Sequence, residues 1–369
     1  MREVEYISPM SNITNVTTGL YGIPNEEALE DATQTFDELE LVTITIETSE
    51  GERGVGLTYT IGEGGTSVKQ FLDDVLVPKL AGESAAPESI RTKLRSETTF
   101  IGREGISELA LSAIDIALWD IVGKEAGKPL YDILGGDQTL IPAYETNGGW
   151  IQFDIETLQE NAAEIVDNGF SGMKMKIGRG SAEDAERIRA VYDVLPEDVD
   201  LFVDANCAFS VAEARRFASH IENIDLAWLE EPLEKGDYDA YADLRTQINI
   251  PIAVGENFYN ETQFKQAIAR KGADFLQPDV SRIGGITPWM TVARAASLWN
   301  IPISPHYIEP IHVHLATAVD NVPYIEHHST VLNRVVEKPL TVENGGLVPP
   351  DRPGHGLVFD GLDQFEKSR

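Results

Sequence analysis

An α/β fold, a TIM-type (β/α)7β barrel preceded by an α+β domain, is predicted by three observations on the sequence. Residues 1–125 mix strand-like and helix-like patterns without a regular alternation. From about residue 140, short apolar segments alternate with amphipathic stretches of helical spacing. Eight apolar segments fall within roughly 190 residues, which is the strand count of a TIM barrel. An open doubly wound sheet is the alternative, but no Gly-x-Gly-x-x-Gly motif follows the first segment.

The α+β domain is predicted to contain a β-hairpin and a long helix. Residues 41–48 and 55–60 alternate apolar and polar side chains in the manner of half-buried strands, and a polar turn separates them. Residues 15–27 are polar and contain Gly and Pro, which predicts a mobile loop. Residues 106–126 have apolar side chains at helical spacing, and Gly127 provides a natural end for that helix.

The barrel is assigned to residues 126–339, and its eight strands are assigned to the short apolar segments. Each segment is rich in residues that suit buried strands, and most of them precede a helical pattern. Residues 340–369 have too little apolar periodicity to fold alone, so we expect them to pack back on the first domain. The eight segments, in chain order, are IPAYETN, GMKMKIG, DLFVDAN, LAWLEEP, PIAVGEN, FLQPDV, IPISPH and PYIEHH.

The charge balance of the chain restricts its partners. Acidic residues number 61 and basic residues 29, which gives a formal net charge of −32. Binding to nucleic acid needs clustered Lys and Arg, so this composition argues against it. Acidic residues spread along the whole chain indicate a surface that resists association at high ionic strength. A halophilic source with a salt-rich cytoplasm is therefore the interpretation we favour.

Nothing in the sequence indicates export or insertion into a membrane. The N-terminal MREVEYISPM lacks an apolar segment of signal-peptide length, and no apolar run nears the ~18 residues of a membrane span. We therefore expect a cytoplasmic protein with a small-molecule substrate, assembled as a homo-oligomer. The single cysteine, Cys207, excludes a disulfide or a thiolate metal cluster within the chain.

Ionisable side chains lie at the end of every predicted strand from the second onward. In a TIM barrel the catalytic groups come from the carboxyl ends of the strands. One charged residue at such a position is usually a helix cap or a solvated group, but seven consecutive strand ends repeat the pattern. The residues are Lys174 and Lys176, Asp204, Glu230 with Glu231, Glu256, Asp279, His306 and Glu326.

Three of these carboxylates form a predicted metal site. Asp204, Glu230 and Glu256 come from adjacent strands, so their charges would meet in one small volume and would need a cation. A donor set made only of oxygen favours Mg²⁺ over zinc, with one ion per site and Mn²⁺ as the alternative. Glu231 follows Glu230 and should face the other way, so we assign it a structural role.

Two potential proton carriers flank the predicted metal site. Lys174 and Lys176 share one face of a strand, about 6–7 Å apart. Burial and the like charge of Lys174 should lower the pKa of Lys176 and make it a base. Asp279 and His306 lie on adjacent strands, and a carboxylate beside an imidazole positions an acid/base group. This arrangement suits removal of the proton α to a carboxylate, because Mg²⁺ and Lys174 can hold the resulting enediolate.

Seven short motifs of the barrel are distinctive when taken together. They are KMK at 174–176, VDAN with Asp204, WLEEP with Glu230, VGEN with Glu256, QPDVSRIGG with Asp279, SPH with His306 and YIE with Glu326. With them the chain resembles the enolase superfamily, and within it the mandelate racemase subgroup, which uses a Lys or His base with magnesium. Residues 112–136 also resemble the family's helix that joins a capping domain to the barrel. Muconate cycloisomerases and dipeptide epimerases of the superfamily carry a lysine where this sequence has Asp279.

The resemblance implies a role for each matching residue. The metal ligands would be Asp204, Glu230 and Glu256, and the bases would be Lys176 on one face of the substrate and His306 with Asp279 on the other. Lys174 would contact the substrate carboxylate, and Glu326 would hydrogen-bond a carboxylate oxygen of the substrate or intermediate. Asn206 and Tyr21 are candidate substrate contacts, the latter from loops of the first domain that should cover the barrel mouth. Arg282 lies three residues beyond Asp279 and is either an inward functional residue or a surface arginine.

The same first step leads to two reactions. If the opposite base returns a proton to the α-carbon, a 2-hydroxy acid is inverted. If His306 protonates the 3-hydroxyl, water leaves and a 2-keto-3-deoxy acid forms. The resemblance favours dehydration of a sugar acid, an aldonate or aldarate, because subgroup members with Lys-x-Lys and a His/Asp pair are mostly acid-sugar dehydratases. A racemase or epimerase is the alternative. A non-catalytic metal-binding barrel is a third reading, which the presence of every base disfavours.

Overall fold

The computed structural model describes residues 10–328 and 331–367. The N-terminal part contains an antiparallel sheet of three strands in the order β1 (Ile13–Glu30), β2 (Thr35–Thr48) and β3 (Arg53–Ile61). The predicted β2–β3 hairpin is confirmed. The prediction of a mobile loop at residues 15–27 is wrong, because this segment is paired to β2 as an edge strand. Polar side chains are tolerated on the solvent face of such a strand, which explains the loop-like composition.

Helices of the N-terminal part cover one face of this sheet. They are α1 (Gly65–Phe71), a π-helical turn (Leu72–Leu76), a 3₁₀ turn (Val77–Lys79), α2 (Pro87–Glu97) and α3 (Ile106–Ala126). Helix α3 ends as predicted at Gly127, which adopts φ 63°. The helix lies so close to β3 that a Cβ atom on Gly56 would stand 1.9 Å from the Ala113 carbonyl oxygen. The glycine therefore allows the tight contact between helix and sheet.

The C-terminal part is built around a parallel sheet of barrel strands. The strands are β4 (Ile141–Glu145), β5 (Gly172–Lys176), β6 (Asp200–Asp204), β7 (Trp228–Glu230), β8 (Ile252–Val254), β9 (Phe275–Leu276) and β10 (Ile325–His327). They follow one another in the order β4 to β9, and β10 pairs with β4. Strands and helices alternate along the chain as the sequence predicts.

The seventh predicted strand, IPISPH, is reduced to a single parallel bridge between Ile303 and Leu276. Pro302 and Pro305 flank this bridge and lack the backbone N–H groups that would extend it. The Ser304 hydroxyl donates a hydrogen bond to the Tyr324 carbonyl oxygen at 3.1 Å. Tyr324 directly precedes β10, so this bond links the segment to that strand. The segment therefore occupies the seventh position of the barrel without forming a regular strand.

Helices pack around the barrel strands. They are α4 (Leu130–Leu134), α5 (Ile155–Asp167), α6 (Ser181–Tyr192), α7 (Val211–His220), α8 (Tyr238–Arg245), α9 (Glu261–Arg270), α10 (Ile286–Ser297) and α11 (Glu309–Ala316), with 3₁₀ turns at Asn147–Gly149, Leu332–Val335 and Leu362–Phe365. Among the described residues, no helix combines the length and apolar character that crossing a membrane requires.

A layer of aromatic side chains fills the barrel interior beneath its carboxyl end. Tyr144, Phe202 and Trp228 are each fully buried. The Phe202 ring centroid lies 4.7 Å from that of Tyr144 and 4.1 Å from that of Trp228. Because side chains alternate along a strand, the interior position two residues after Phe202 is Asp204, and the one after Trp228 is Glu230. The apolar layer thus forms the floor of a layer of charge.

The C-terminal tail contacts both parts of the molecule. Its strand β11 (Gly346–Leu347) pairs antiparallel with β4 of the barrel. Further along, the His355 backbone N–H donates to Asp120 of α3 at 3.1 Å, and the Lys367 ammonium donates to Glu40 of β2 at 2.8 Å. The tail therefore contacts α3 and β2 of the N-terminal part as well as the first barrel strand.

Candidate active site

A cavity of about 470 Å³ lies at the carboxyl ends of the barrel strands. The end of the β1–β2 hairpin, including Asn25 and Phe36, contributes to its wall, as does Tyr59 of β3. Barrel residues of the opposite wall include Lys176 and His306. The cavity is thus enclosed between the N-terminal sheet and the barrel mouth, where the sequence places the predicted catalytic groups.

The three carboxylates predicted to meet do so. Asp204 and Glu230 end β6 and β7, and Glu256 lies two residues after β8. One oxygen from each side chain lies within 4.8 Å of the others, and all three side chains are buried. Glu230 accepts hydrogen bonds from Trp228 Nε1 at 3.0 Å and from Gln277 Nε2 at 2.7 Å, which fix its orientation from below.

The electrostatics of the carboxylate cluster call for a cation. Burial, together with the negative charges of Asp204 and Glu256, raises the pKa of Glu230 to about 8 despite the opposing effect of Lys174. Burial likewise raises the pKa of Glu256, against the opposing effect of His306. For Asp204 burial acts in the same direction, but Lys176 and Lys174 overcome it and lower the pKa.

The available donor atoms fit a hard divalent cation. Glu256 Oε2 and Asn206 Oδ1 are buried oxygens without a hydrogen-bond partner among the described residues. His306 Nε2 approaches Glu256 Oε2 to 3.2 Å, but without the alignment of a hydrogen bond. Three carboxylates without Cys or His among them form the kind of oxygen donor set that Mg²⁺ takes, with water or ligand oxygens completing its coordination.

The two lysines of β5 face this cluster in different ways. Lys174 is fully buried, and its ammonium lies 2.9 Å from Glu230 Oε1 and 2.7 Å from Glu326 Oε1. Lys176 lines the cavity, where its ammonium lies 2.5 Å from Asp204 Oδ2 and 5.6 Å from the centroid of the Trp150 ring. Lys176 is therefore the lysine that a bound molecule meets first.

The expectation from sequence that the pKa of Lys176 is lowered is wrong. Burial and Lys174 do act in the expected direction. However, Asp204, Glu256 and Glu230 stabilise the ammonium more strongly, so the net shift of the Lys176 pKa is upward. The reasoning from sequence counted the neighbouring lysine and left out the nearby carboxylates.

Asp279 and His306 form the predicted carboxylate–imidazole pair. The Asp279 Oδ2 atom lies 3.0 Å from His306 Nδ1. Burial lowers the pKa of His306, but Glu256 and Asp279 overcome this effect and raise it to about 9. With Nδ1 facing one carboxylate and Nε2 facing another, the imidazole is held in its protonated form at neutral pH.

Glu326 lies behind the cavity wall, next to Lys174. The Thr146 hydroxyl donates to its Oε1 at 2.7 Å, and the Tyr307 backbone N–H donates to its Oε2 at 2.8 Å. Burial raises the pKa of Glu326, but Lys174 and His306 dominate and hold it well below its usual range. Glu326 is therefore an ionised partner of Lys174.

The remaining predicted contacts fall in different places. Asn206 lines the cavity, whereas Tyr21 does not. Tyr21 forms a backbone bridge to Glu366 of the tail, and its contact with a substrate stays a prediction. Glu231 accepts a hydrogen bond from Asn257 Nδ2 at 2.5 Å, in keeping with a structural role. Arg282 does face inward.

Several residues that shape the site escaped the sequence reasoning. Trp228 and Gln277 each lie two residues before a recognised site residue, so the two-residue repeat of a strand could have found them. Tyr59 and Thr146 donate hydrogen bonds to Asp279 and Glu326, respectively, but their own sequence surroundings give no signal. Arg282, which the sequence had already singled out, donates hydrogen bonds to Asn257 Oδ1 and to the Tyr259 hydroxyl, both at 3.1 Å.

The chain matches two family models. Residues 18–135 match the mandelate racemase / muconate lactonizing enzyme N-terminal domain, and residues 157–363 match the enolase C-terminal domain-like model. The chain belongs to the enolase superfamily. The N-terminal match places it in the mandelate racemase subgroup of the enolase superfamily, as the barrel motifs indicated, and the expected fold of a capping domain with a TIM-type barrel is confirmed.

Relatives within the enolase superfamily match over nearly their full length. The 3,6-anhydro-alpha-L-galactonate cycloisomerase of Streptomyces coelicolor is 35% identical, over 94% of this chain and 97% of its own. The arabinonate dehydratase of Saccharolobus solfataricus is 35% identical, over 90% of this chain and 91% of its own. A solved structure of L-talarate dehydratase from Polaromonas sp. JS666, complexed with Mg and L-glucarate, is 32% identical with a TM-score of 0.92, covering 97% of this chain and 98% of its own.

We predict that replacing Glu256 by Gln weakens Mg²⁺ binding on the order of tenfold or more, because the substitution removes one of three anionic ligand groups at nearly constant volume. Isothermal titration of the purified protein with MgCl₂ measures the affinity. Glu309→Gln is the matched control, since Glu309 is also buried, its carboxylate oxygens have no hydrogen-bond partner among the described residues, and it lies outside the cluster. Equal affinities of Glu256→Gln and the unmodified protein would contradict the assignment.

Proposed function

We propose that the protein is a Mg²⁺-dependent dehydratase of a sugar acid, an aldonate or aldarate. The observation that carries the proposal is the placement of two different proton carriers at the two ends of one carboxylate cluster. Lys176 contacts the cluster at Asp204, and His306 contacts it at Glu256. A molecule held over the cluster by its carboxylate would then have one proton carrier on each side of its α-carbon.

The metal would be held by Asp204, Glu230 and Glu256. A bound Mg²⁺ supplies positive charge that stabilises the enediolate formed when an α-proton leaves a carboxylate. Lys174 adds a fixed positive charge beside Glu230, and Glu326 holds the Lys174 ammonium in place. We propose that these two residues set the potential at the substrate carboxylate, with Lys174 contacting it and Glu326, in its protonated form, donating a hydrogen bond to one of its oxygens.

Lys176 is the proposed base. It must be neutral to accept the α-proton, and both its burial and the Lys174 ammonium favour the neutral amine. The Asp204 carboxylate is the main group that favours the ammonium form. The neutral amine of Lys176 is therefore more populated when the Asp204 carboxylate is paired with another cation. The Trp150 ring beside Lys176 restricts where the ammonium can move.

His306 is the proposed acid for the second step. Once Lys176 has removed the α-proton, the enediolate expels the 3-hydroxyl: the C3–O bond breaks, and the imidazolium donates its proton to the departing hydroxyl to give water. The resulting enol tautomerises to a 2-keto-3-deoxy acid. Asp279 stabilises the imidazolium from the Nδ1 side, which leaves Nε2 directed towards the cluster. The acid and the base thus act from opposite sides of the substrate.

The similarities favour dehydration over inversion. One relative at 35% identity is named an arabinonate dehydratase, and a structure at 32% identity is an L-talarate dehydratase with Mg and L-glucarate. Inversion of a 2-hydroxy acid, as in a racemase, needs the same two bases and is the alternative outcome. A non-catalytic metal-binding role would leave both proton carriers without a purpose.

Cycloisomerisation is a second candidate, because a relative at 35% identity is named a 3,6-anhydro-alpha-L-galactonate cycloisomerase. Its chemistry shares the first step with dehydration. If the oxygen at C3 belongs to a ring ether instead of a hydroxyl, the same C3–O cleavage opens the ring and the product is an isomer of the substrate. The mass of the product distinguishes the reactions, since dehydration alone gives a product lighter by one water.

Further properties follow as proposals. We propose a cytoplasmic homo-oligomer that acts on small-molecule carboxylates, with domain limits at residues 1–125 and 126–339 and a tail from residue 340. The excess of acidic side chains supports a halophilic setting, in which the protein would keep its solubility at high ionic strength. Assays should accordingly include high salt.

We predict that the protein, with Mg²⁺ and high salt, converts at least one member of a library of aldonic and aldaric acids to a 2-keto-3-deoxy acid. The library should include 3,6-anhydro acids and simple 2-hydroxy acids. Semicarbazide derivatisation detects the 2-keto product, and mass spectrometry shows whether water has been lost. Activity confined to 3,6-anhydro acids would identify a cycloisomerase, and C2 inversion alone would identify a racemase. Failure with every compound would refute the catalytic proposal.

We predict that His306→Asn abolishes dehydration and leaves Mg²⁺ affinity nearly unchanged, because Asn keeps a polar side chain but cannot donate the proton. Lys176→Met should also abolish dehydration, through loss of the base. Product formation and calorimetric Mg²⁺ titration are measured on the same preparations. Dehydration at the normal rate by His306→Asn would show that His306 is not the acid.

A further inference from the structure

We propose that Tyr59, contributed by the N-terminal sheet, is a positioning residue that holds the imidazole of His306 through Asp279. The inference rests on the proposed function, since it concerns the His306 side of the same site. Tyr59 is 5% exposed, and its hydroxyl donates a hydrogen bond to Asp279 Oδ2 at 2.8 Å. The same oxygen lies 3.0 Å from His306 Nδ1.

The Asp279 carboxylate is held at both oxygens. The Ser281 backbone N–H and hydroxyl donate to Oδ1 at 2.8 and 2.6 Å. The Tyr59 hydroxyl and His306 meet at Oδ2. Three of these donor groups are supplied by residues 281 and 306 of the barrel, and Tyr59 alone comes from the N-terminal sheet. Removing the phenol hydroxyl would leave His306 as the one partner of Oδ2 among the described residues. The carboxylate would then follow movements of the imidazole ring that it has to hold.

Two contacts join the N-terminal sheet to the barrel next to Tyr59. The neighbouring Thr58 hydroxyl donates to the Ser281 carbonyl oxygen at 2.8 Å, which attaches β3 to the loop carrying Asp279. The Tyr59 ring packs edge-on against Tyr307, with ring centroids 4.9 Å apart. Burial and the charge of Asp279 raise the pKa of Tyr59 well above its usual value, so the phenol remains a donor. The N-terminal sheet therefore reaches the acid of the reaction as well as the cavity wall.

Tyr59 contacts the His306 side of the site and not the Lys176 side. Tyr59 touches the Asp279–His306 pair, whereas Lys176 is held by Asp204 and lies over Trp150, both from the barrel part of the chain. Loss of the Tyr59 hydroxyl should therefore disturb proton transfer by His306 and spare proton transfer by Lys176. A residue with a merely structural role would affect the two transfers alike.

Exchange of the α-proton with D₂O separates the two transfers. The probes are the two C2 epimers of the 3-deoxy analogue of an accepted sugar acid, which have no 3-hydroxyl to lose. Lys176 exchanges one epimer, and the fraction of His306 that is neutral exchanges the other. We expect Tyr59→Phe to slow exchange of the His306-dependent epimer about tenfold and to lower kcat for dehydration by the same factor. This is about the effect of losing one hydrogen bond to a charged group. Nuclear magnetic resonance follows the exchange. The exchange rate of the other epimer and the KM for dehydration should both stay within twofold of the values for the unmodified protein.

Two matched variants complete the test. Thr58→Val removes the adjacent contact between β3 and the barrel without touching Asp279. Tyr241→Phe removes another buried tyrosine hydroxyl, which donates to the Leu233 carbonyl oxygen at 2.5 Å outside the cavity. Neither should change the ratio of the two exchange rates. An equal ratio in Tyr59→Phe and the unmodified protein, or the same change in Thr58→Val, would overturn the proposal.

A measurement without substrate keeps this inference distinct from the proposed function. The ¹⁵N resonances of the His306 ring report which nitrogen carries the proton and how strongly Nδ1–H is hydrogen-bonded. We expect Tyr59→Phe to shift the Nδ1 signal and Tyr241→Phe to leave it unchanged. An unshifted signal in Tyr59→Phe would overturn the positioning role even if the enzyme proves to be a dehydratase. If no sugar acid reacts but the signal shifts, the proposed function fails and the positioning role stands.

Discussion

Buried negative charge at the barrel mouth is the constraint on which the rest of the site depends. Asp204 and Glu230 are fully buried and Glu256 is 6% exposed, and all three converge on one volume. Three ionised carboxylates at such distances repel one another strongly in a medium of low polarity. Lys174 and Lys176 offset part of this repulsion through direct ion pairs. What remains is a local negative charge suited to a divalent cation.

The apolar framework explains why this charge can act on a substrate. The aromatic layer of Tyr144, Phe202 and Trp228 closes the barrel below the carboxylates, and the β1–β2 hairpin covers part of the cavity above them. The aromatic floor excludes water from below the carboxylates, which strengthens the electrostatic interactions above it. Trp228 also donates a hydrogen bond to Glu230, so the floor of the site orients a carboxylate as well as excluding solvent.

The positions of the barrel groups could be predicted from sequence because each one ends a strand, and parallel strands of a barrel end together. Contacts between distant parts of the chain could not be predicted from sequence. Tyr59 is an example, because its partner Asp279 lies 220 residues away. The prediction of a lowered pKa for Lys176 failed for a related reason, because this pKa depends on the distances to several carboxylates at once. The edge strand β1 was missed because its polar face has the composition of a loop.

The central claim is that one metal ion lies among the three carboxylates with Lys176 and His306 on opposite sides of a bound acid. Crystals grown with Mn²⁺ and a 3-deoxy 2-hydroxy acid test it directly, because anomalous scattering locates the metal and the electron density locates the α-carbon. We predict one anomalous peak at about 2.2 Å from an oxygen each of Asp204, Glu230 and Glu256, with Lys176 Nζ and His306 Nε2 on opposite faces of the α-carbon. A peak elsewhere, or both nitrogens on the same face, would contradict the claim.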